Sequence, residues 1–440
     1  MLRVPRTFWA ALAVGALLRV ALILASPAAG MSGGDLQVYH GTAVRLAESP
    51  GAWFEASEFG YRAPLYFVLL AVSYLPFPSG QAPYWAGQLV TAALFVPLVL
   101  LYLALGSQLR LRQREVIATV WLRSALPTFV VSDVQTLSEP LFEVLLLCLF
   151  LVASKAFEGG LTRQRGVILG LLLGALVLTR EVGSVFVLGL ALPFLAALRW
   201  RRMALPWRPI AWMALTMGIT LSPWLYRNHL TYDQALPLST TGGVNLHIGH
   251  HPDADGRWGL ILDPSHTPPA NLRWGTPQFS KWHRDAAVAY ILNDPLRALA
   301  IVPWKLAYLV FPRVERQETL DMFPGLPQKC RVVLLVLVGL SSAILVMLIP
   351  PGLAALPRSY YRGAALVSTV LVAAAVAVTY GSPRYLDPIE HLALPGIGAL
   401  LVGPRRVLAE RMNAIVTRVT VLSCMAGIVC LWVMILSTKF

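Results

Sequence analysis

Residues 28–66 read AAGMSGGDLQVYHGTAVRLAESPGAWFEASEFGYRAPLY. This stretch is too polar for the core of a bilayer, yet apolar runs flank it near 7–26 and 64–78. It therefore reads as a loop joining two membrane-associated segments. Asp35 follows the first apolar run and Arg62 directly precedes the second. Two opposite charges are thus tethered to two helix ends at one membrane face, and that face is the candidate active site.

The composition agrees with a membrane setting. Of 440 residues, 57% are hydrophobic and 13% charged, where a soluble domain carries about 25% charged residues. The formal net charge is +14, which in a soluble protein would raise nucleic acid as a partner. Here the excess sits in short clusters between apolar runs, at 110–114, 163–165, 199–202 and 405–411. That is the positive-inside pattern, so nucleic acid is set aside as a partner. Contact of the same clusters with anionic membrane lipid is a secondary expectation. The four cysteines, Cys148, Cys330, Cys424 and Cys430, show neither C-x-x-C nor zinc-finger spacing. They read as buried apolar residues. The N-terminal run resembles a signal sequence but contains Arg19, and reads as an uncleaved first helix with its N-terminus inside.

Further apolar segments lie near 84–105, 116–131, 140–157, 166–179, 183–198, 209–226, 298–312, 331–350, 363–380, 389–402 and 414–436. The expected fold class is therefore an all-α polytopic membrane protein of about 11–13 helices. Strict alternation fails between the outer loop and the basic cluster at 110–114. Two segments lie there where an odd number of crossings is required. Pro64, Pro76, Pro78 and Pro83 mark one of them as broken, re-entrant or interfacial. The run 298–312, with Pro303 and Lys305 at its middle, reads as interfacial too. Three regions result: an N-terminal transmembrane module (1–226), one hydrophilic loop on the face of Asp35 (227–297), and C-terminal helices (298–440). Within the loop only 278–293 has helical periodicity.

Polar groups at membrane depth are costly, so those gathered at the outer helix ends are candidates for chemistry. Asp35 follows Gly33 and Gly34 and can be presented from a loop as a general base. Equally, it can cap the helical stretch that follows. Arg62 suits a phosphate grip through its guanidinium fork, or interfacial anchoring. Glu139 precedes Pro140 at a helix start, where capping alone would explain it, but Glu143 lies one turn deeper. Arg180 and Glu181 interrupt an apolar run as LTREVG. Arg227 and Asn228 close the run SPWLYRNHL (222–230). The stretch 237–256 follows, with Gly242 and Gly243 suited to an anion nest. His247, His250 and His251, with Asp253 and Asp255, invite a metal, but H-x-x-H-H is no established zinc spacing. Arg384, in GSPRYLDP (381–388), is a third cation for a lipid phosphate, or an interfacial anchor beside Tyr385. No Walker A motif and no G-x-G-x-x-G fingerprint occurs.

These motifs come in a recognisable order. An acidic residue follows the first helix, R-x-P-L-Y opens the second segment, and S-E-P-L-F and L-T-R-E come next. Then P-W-L-x-R-N leads to P-L-S-T-x-G-G-x-N-L-x-I-G and a late S-P-R-Y. The set resembles the GT-C superfamily of integral-membrane glycosyltransferases, nearest the protein O-mannosyltransferase and lipid A aminoarabinose transferase group (bacterial family 39-like). The resemblance implies sugar transfer from a polyprenyl-phosphate-linked donor on the outer face of a bacterial inner membrane, by inverting displacement. The acceptor, whether protein, lipid or glycan, is not specified. The alternative is a transporter or flippase of lipid-linked sugars. By position, the resemblance implies Asp35 and Glu139 as catalytic residues. Arg62, Tyr66, Arg227, Asn228, Asn245, His250 and Arg384 become substrate-binding residues. Tyr61 and Arg62 stand where the aminoarabinose branch has an acidic-basic pair, and His250 and His251 where related loops more often have Asn-Asn. No cofactor is required by this set, and a divalent metal is left open.

Overall fold

The computed structural model describes residues 5–25, 34–55, 57–77, 81–232, 238–259, 267–313, 323, 325–412 and 415–439. Pro78 and residues 28–33 of the outer loop lie outside these. The described residues contain no β-strand, and the fold class is all-α.

In chain order the principal helices begin with α1 Arg6–Leu24, α2 Gly34–Glu48, α3 Leu65–Tyr74 and α4 Tyr84–Gln108. Next come α5 Gln113–Ala125, α6 Pro127–Asp133, α7 Glu139–Gly159, α8 Arg163–Thr179, α9 Gly183–Trp200 and α10 Trp207–Tyr232. The outer loop holds α11 Thr241–Ile248, α12 Pro277–Asn293 and α13 Pro295–Leu309. The chain finishes with α14 Gln328–Ala355, α15 Tyr360–Val378, α16 Asp387–Val402, α17 Pro404–Glu410 and α18 Ile415–Lys439.

Among the described residues, seven helices are long and apolar enough to cross a membrane, or ten if each bent pair is one span. The helices α8 and α10 pack among them, and the chain is a multi-pass membrane protein. The alternation problem has a structural answer. Helix α3 has only 10 residues, about 15 Å, half of what a crossing requires. It packs on the amphipathic α2 instead of spanning, while α4 continues for 25 residues. Helix α13 meets α12 at a bend of 102° at the break between Asn293 and Pro295.

Glycine spacing sets one close helix pair. Gly166, Gly170 and Gly174 make a four-residue ladder along α8, where small side chains let backbones approach. A Cβ at Gly166 would lie 2.3 Å from Pro209 O. One at Gly170 would lie 2.0 Å from Thr216 Oγ1, and one at Gly174 2.7 Å from Thr220 Cβ. Both numberings rise together, so α8 and α10 run parallel.

The main core gathers Phe95, Leu98, Phe150, Phe186, Leu345 and Leu392. Charges buried in this bundle are matched. Arg19 and Arg123 both donate to Asp133 at 2.7 Å. Glu143 Oε2 lies 2.9 Å from His391 Nε2, whose Nδ1 is 2.7 Å from the Tyr102 hydroxyl. At the opposite end of the helices from Asp35, Glu115 is paired with Arg406 and Arg411. Cys330, Cys424 and Cys430 are exposed and Cys148 half-buried. This corrects the expectation of buried thiols: an apolar run in a membrane can face lipid instead of the protein core.

Candidate functional site

Five parts of the chain converge at one end of the bundle: the first turn of α2, the approach to α3, the start of α7, the break between α8 and α9, and the turn before α16. Asp35 lies inside the first turn of α2 instead of preceding it. Its carboxylate is engaged by guanidinium groups. Arg62 pairs with Oδ1, and Arg384 Nη1 donates to Oδ2 at 3.1 Å. Arg384 also donates from Nε and Nη2 to Glu139 Oε1, at 2.9 and 2.5 Å. Arg180 Nη1 lies 2.5 Å from the same oxygen. One turn along α2 from Asp35, the Tyr39 hydroxyl donates to Ser138 Oγ at 3.1 Å, tying α2 to the start of α7.

Among the described residues, three guanidinium groups face the carboxylates of Asp35 and Glu139. Burial alone would push the Asp35 carboxyl up, but the Arg62 and Arg384 guanidiniums outweigh it and hold it below the ordinary carboxylate range. Asp35 is ionised at neutral pH, as a proton acceptor must be.

A cavity of about 910 Å³ opens against this cluster. Asp35, Arg62, Arg180 and Arg384 line its charged side, and Trp258, Trp274, Tyr308 and Tyr380 supply aromatic surface. The backbone seals one edge. Gly381 N donates to Gly256 O at 2.7 Å, and Trp258 N to Gly381 O at 3.3 Å. Gly256 has φ +91, a conformation that side-chain-bearing residues avoid, and a Cβ there would lie 2.8 Å from Trp304 Cβ. A smaller polar lobe of about 70 Å³ shares the charged wall and Asn245, and adds Glu181, Ser239 and Thr241.

Of the residues singled out in the sequence, Asp35, Arg62, Glu139, Asn245 and Arg384 meet here. Four lie elsewhere. Tyr66 is buried and shares a 2.6 Å hydrogen bond with Thr91. Arg227 donates to Trp53 O at 2.7 Å and to Asn228 Oδ1 at 3.0 Å, so both brace the outer loop from inside the protein. His250 is buried against Lys305 Nζ at 3.0 Å, behind the cavity wall. Arg180 and Glu181 were visible as charges breaking an apolar run, but nothing local showed which way they point.

The donor set does not fit a divalent cation. Both oxygens of Asp35 are taken by guanidiniums, and Arg180 and Arg384 crowd Oε1 of Glu139. Among the described residues no group of three or more His, Cys, Asp or Glu could hold a metal. His247 Nδ1 faces His283 Nδ1 at 2.8 Å, and His250 Nε2 lies 3.0 Å from Lys305 Nζ.

No family model and no curated protein matches the chain in sequence. Among solved structures it is similar to the oligosaccharyltransferase of Archaeoglobus fulgidus in complex with zinc and sulfate. That likeness has 16% identity and a TM-score of 0.50, over 96% of this chain and 52% of that one. The apo form of the same enzyme gives a TM-score of 0.51 at 13% identity, over 97% of this chain and 55% of that one. The chain has the GT-C fold. A further similarity, to ArnT from Cupriavidus metallidurans bound to undecaprenyl phosphate, has 15% identity and a TM-score of 0.40, over 91% of this chain and 78% of that one. The chain spans about half the length of the oligosaccharyltransferase it matches. The charged cluster lies at the ends of α7, α8 and α16, and the basic clusters at 163–165 and 405–411 lie at the other ends of α8 and α16.

Proposed function

We propose that this protein transfers a sugar from a polyprenyl-phosphate-linked donor to an acceptor, at the outer face of a bacterial inner membrane. The observation that carries this reading is the cluster of Arg62, Arg180 and Arg384, gathered beside Asp35 on the wall of a cavity with aromatic surface. Guanidinium forks suit phosphate oxygens. They also offset the charge that develops on the leaving phosphate.

In the reaction, Asp35 accepts the proton of an acceptor hydroxyl or amine as that atom bonds to the anomeric carbon. The bond from that carbon to the phosphate oxygen breaks, and its electron pair leaves with the lipid phosphate. One displacement inverts the anomeric centre. Before the donor arrives, Arg62 and Arg384 are spent on Asp35. A phosphate that draws them away restores basicity to the carboxylate when the proton is due. Glu139 acts through Arg180 and Arg384 as their positioning residue.

The test is transfer of label from a radiolabelled polyprenyl-phosphate sugar to membrane acceptors, by purified wild type and Asp35→Asn. Transfer by the wild type alone is the expected result. Transfer retained by Asp35→Asn would overturn the base assignment. Donor bound but never consumed by the wild type would favour a lipid-linked-sugar transporter.

A further inference from the structure

The small polar lobe holds a carboxylate that the proposed chemistry does not use. Glu181 sits in the break between α8 and α9. Among the described residues no cation pairs with it. Its Oε1 accepts from the Ser239 hydroxyl, and its Oε2 from the Thr241 hydroxyl at 3.1 Å. Those two hydroxyl oxygens are themselves 2.7 Å apart. Two adjacent hydroxyls, each on one oxygen of a single carboxylate, reproduce how a gauche vicinal diol of a sugar ring binds a carboxylate.

The proton count adds to this. Three oxygen–oxygen contacts link Glu181, Ser239 and Thr241, but the two hydroxyls own one hydrogen each. One of the three contacts therefore lacks a proton at any moment. Ser239 Oγ already accepts from Thr241 N at 3.2 Å, which does not supply one. A ligand hydroxyl brings its own hydrogen and can donate to a carboxylate lone pair that the two protein hydroxyls leave unfilled. The lobe also shares Asp35, Arg62, Arg180 and Arg384 with the large cavity, so a group bound at Glu181 adjoins the guanidinium cluster.

We infer that Glu181 and Asn245 form the subsite that reads a vicinal diol on the donor sugar, with the Ser239 and Thr241 hydroxyls competing for the same carboxylate. This rests on the proposed glycosyl transfer. The donor phosphate lies on the arginines, the ring spans the two lobes, and the diol reaches Glu181. Asn245, which lines both lobes, offers an amide to a neighbouring hydroxyl. The site takes a pyranose with two free adjacent hydroxyls and rejects its monodeoxy counterpart.

The experiment measures equilibrium binding of short-chain polyprenyl-phosphate pyranosides, with the diol intact or one hydroxyl removed, to the full chain in detergent. Wild type and Asp35→Asn are expected to hold the intact diol about tenfold more tightly, the worth of a charge-assisted hydrogen bond. Glu181→Gln is expected to reduce that preference to about twofold at an unchanged melting temperature. Equal loss of affinity for both ligands would make Glu181 a brace for the 239–241 segment and overturn the inference. If Glu181→Gln does not fold, the Ser239→Ala, Thr241→Val pair serves instead. It removes the competing hydroxyls, so the preference for the diol should grow, and no growth overturns the inference. Transfer is scored separately. Diol preference without transfer keeps the subsite and removes the transferase reading, whereas transfer without diol preference does the reverse. No binding of any pyranoside removes both.

Discussion

Arg384 joins Asp35 and Glu139. One guanidinium donates to Asp35 Oδ2 at 3.1 Å and to Glu139 Oε1 at 2.9 and 2.5 Å. It bridges the outer loop after α1 and the start of α7 from a turn near the far end of the chain. A planar fork with several fixed donors can hold two carboxylates together, and a lysine ammonium cannot reproduce that geometry.

Arg384→Lys keeps the charge and loses the bridge. The expected result is a fall in kcat/KM of about a hundredfold, the scale for removing one donor at a developing anion. Donor transfer assays on protein of unchanged thermal stability would check it. Activity within a few-fold of wild type would mean that charge alone suffices.

The acid limb of the pH profile follows from Asp35. Arg62 and Arg384 overcome the effect of burial and hold its carboxyl below the ordinary range. A carboxyl depressed in the folded state contributes stability above its unfolded value, and that contribution is lost as pH falls through the folded one. Activity that needs ionised Asp35 should therefore persist below the pH at which a free aspartate protonates. Arg62→Gln removes the stronger of the two opposing charges, so the acid limb of kcat/KM should move to higher pH. A limb that stays in place would assign it to another group.

Asp133 is a stability determinant. It is the shared partner of Arg19 and Arg123, and all three are almost fully buried. Asp133→Asn leaves both cations poorly compensated in the bundle, where breaking such a pair costs about 3–5 kcal/mol. A marked drop in melting temperature in detergent is expected, together with lower yield. An unchanged melting temperature would show that water or lipid reaches these arginines.

The glycine ladder gives a contrast within one helix pair. Gly170→Leu drives a side chain into Thr216 and the Met213 carbonyl, so α8 and α10 must separate and the protein should melt earlier. Gly218→Leu, on α10, adds a side chain where nothing lies within 4 Å. It should leave the melting temperature within a degree or two. Equal effects would refute close packing along this ladder.

Much of the candidate site was legible before any coordinates. Asp35, Glu139 and Arg384 are polar groups at the ends of apolar runs, a placement that costs free energy unless the group is paired or used. Arg227 and Asn228 show the limit of that argument. They satisfy the same rule, yet their hydrogen bonds go to Trp53 O and to each other, because a buried polar group is equally content inside a brace. Arg180 and Glu181 adjoin in sequence but serve two lobes, one facing Glu139 and the other Ser239 and Thr241.

The sequence by itself determined the membrane class and the helical fold, and it gathered the basic clusters between apolar runs. Those properties follow from the apolar length needed to cross a bilayer and from the bias of Lys and Arg, both readable along one dimension. It also marked one of the segments at 64–78 and 84–105 as unable to span. Only the tertiary structure decided that this is α3, that α8 and α10 lie parallel, and which charges share a carboxylate. Pairing depends on distances between segments hundreds of residues apart. A guanidinium's partner is chosen by which helix ends the packed bundle brings within hydrogen-bond reach, and no local pattern encodes that.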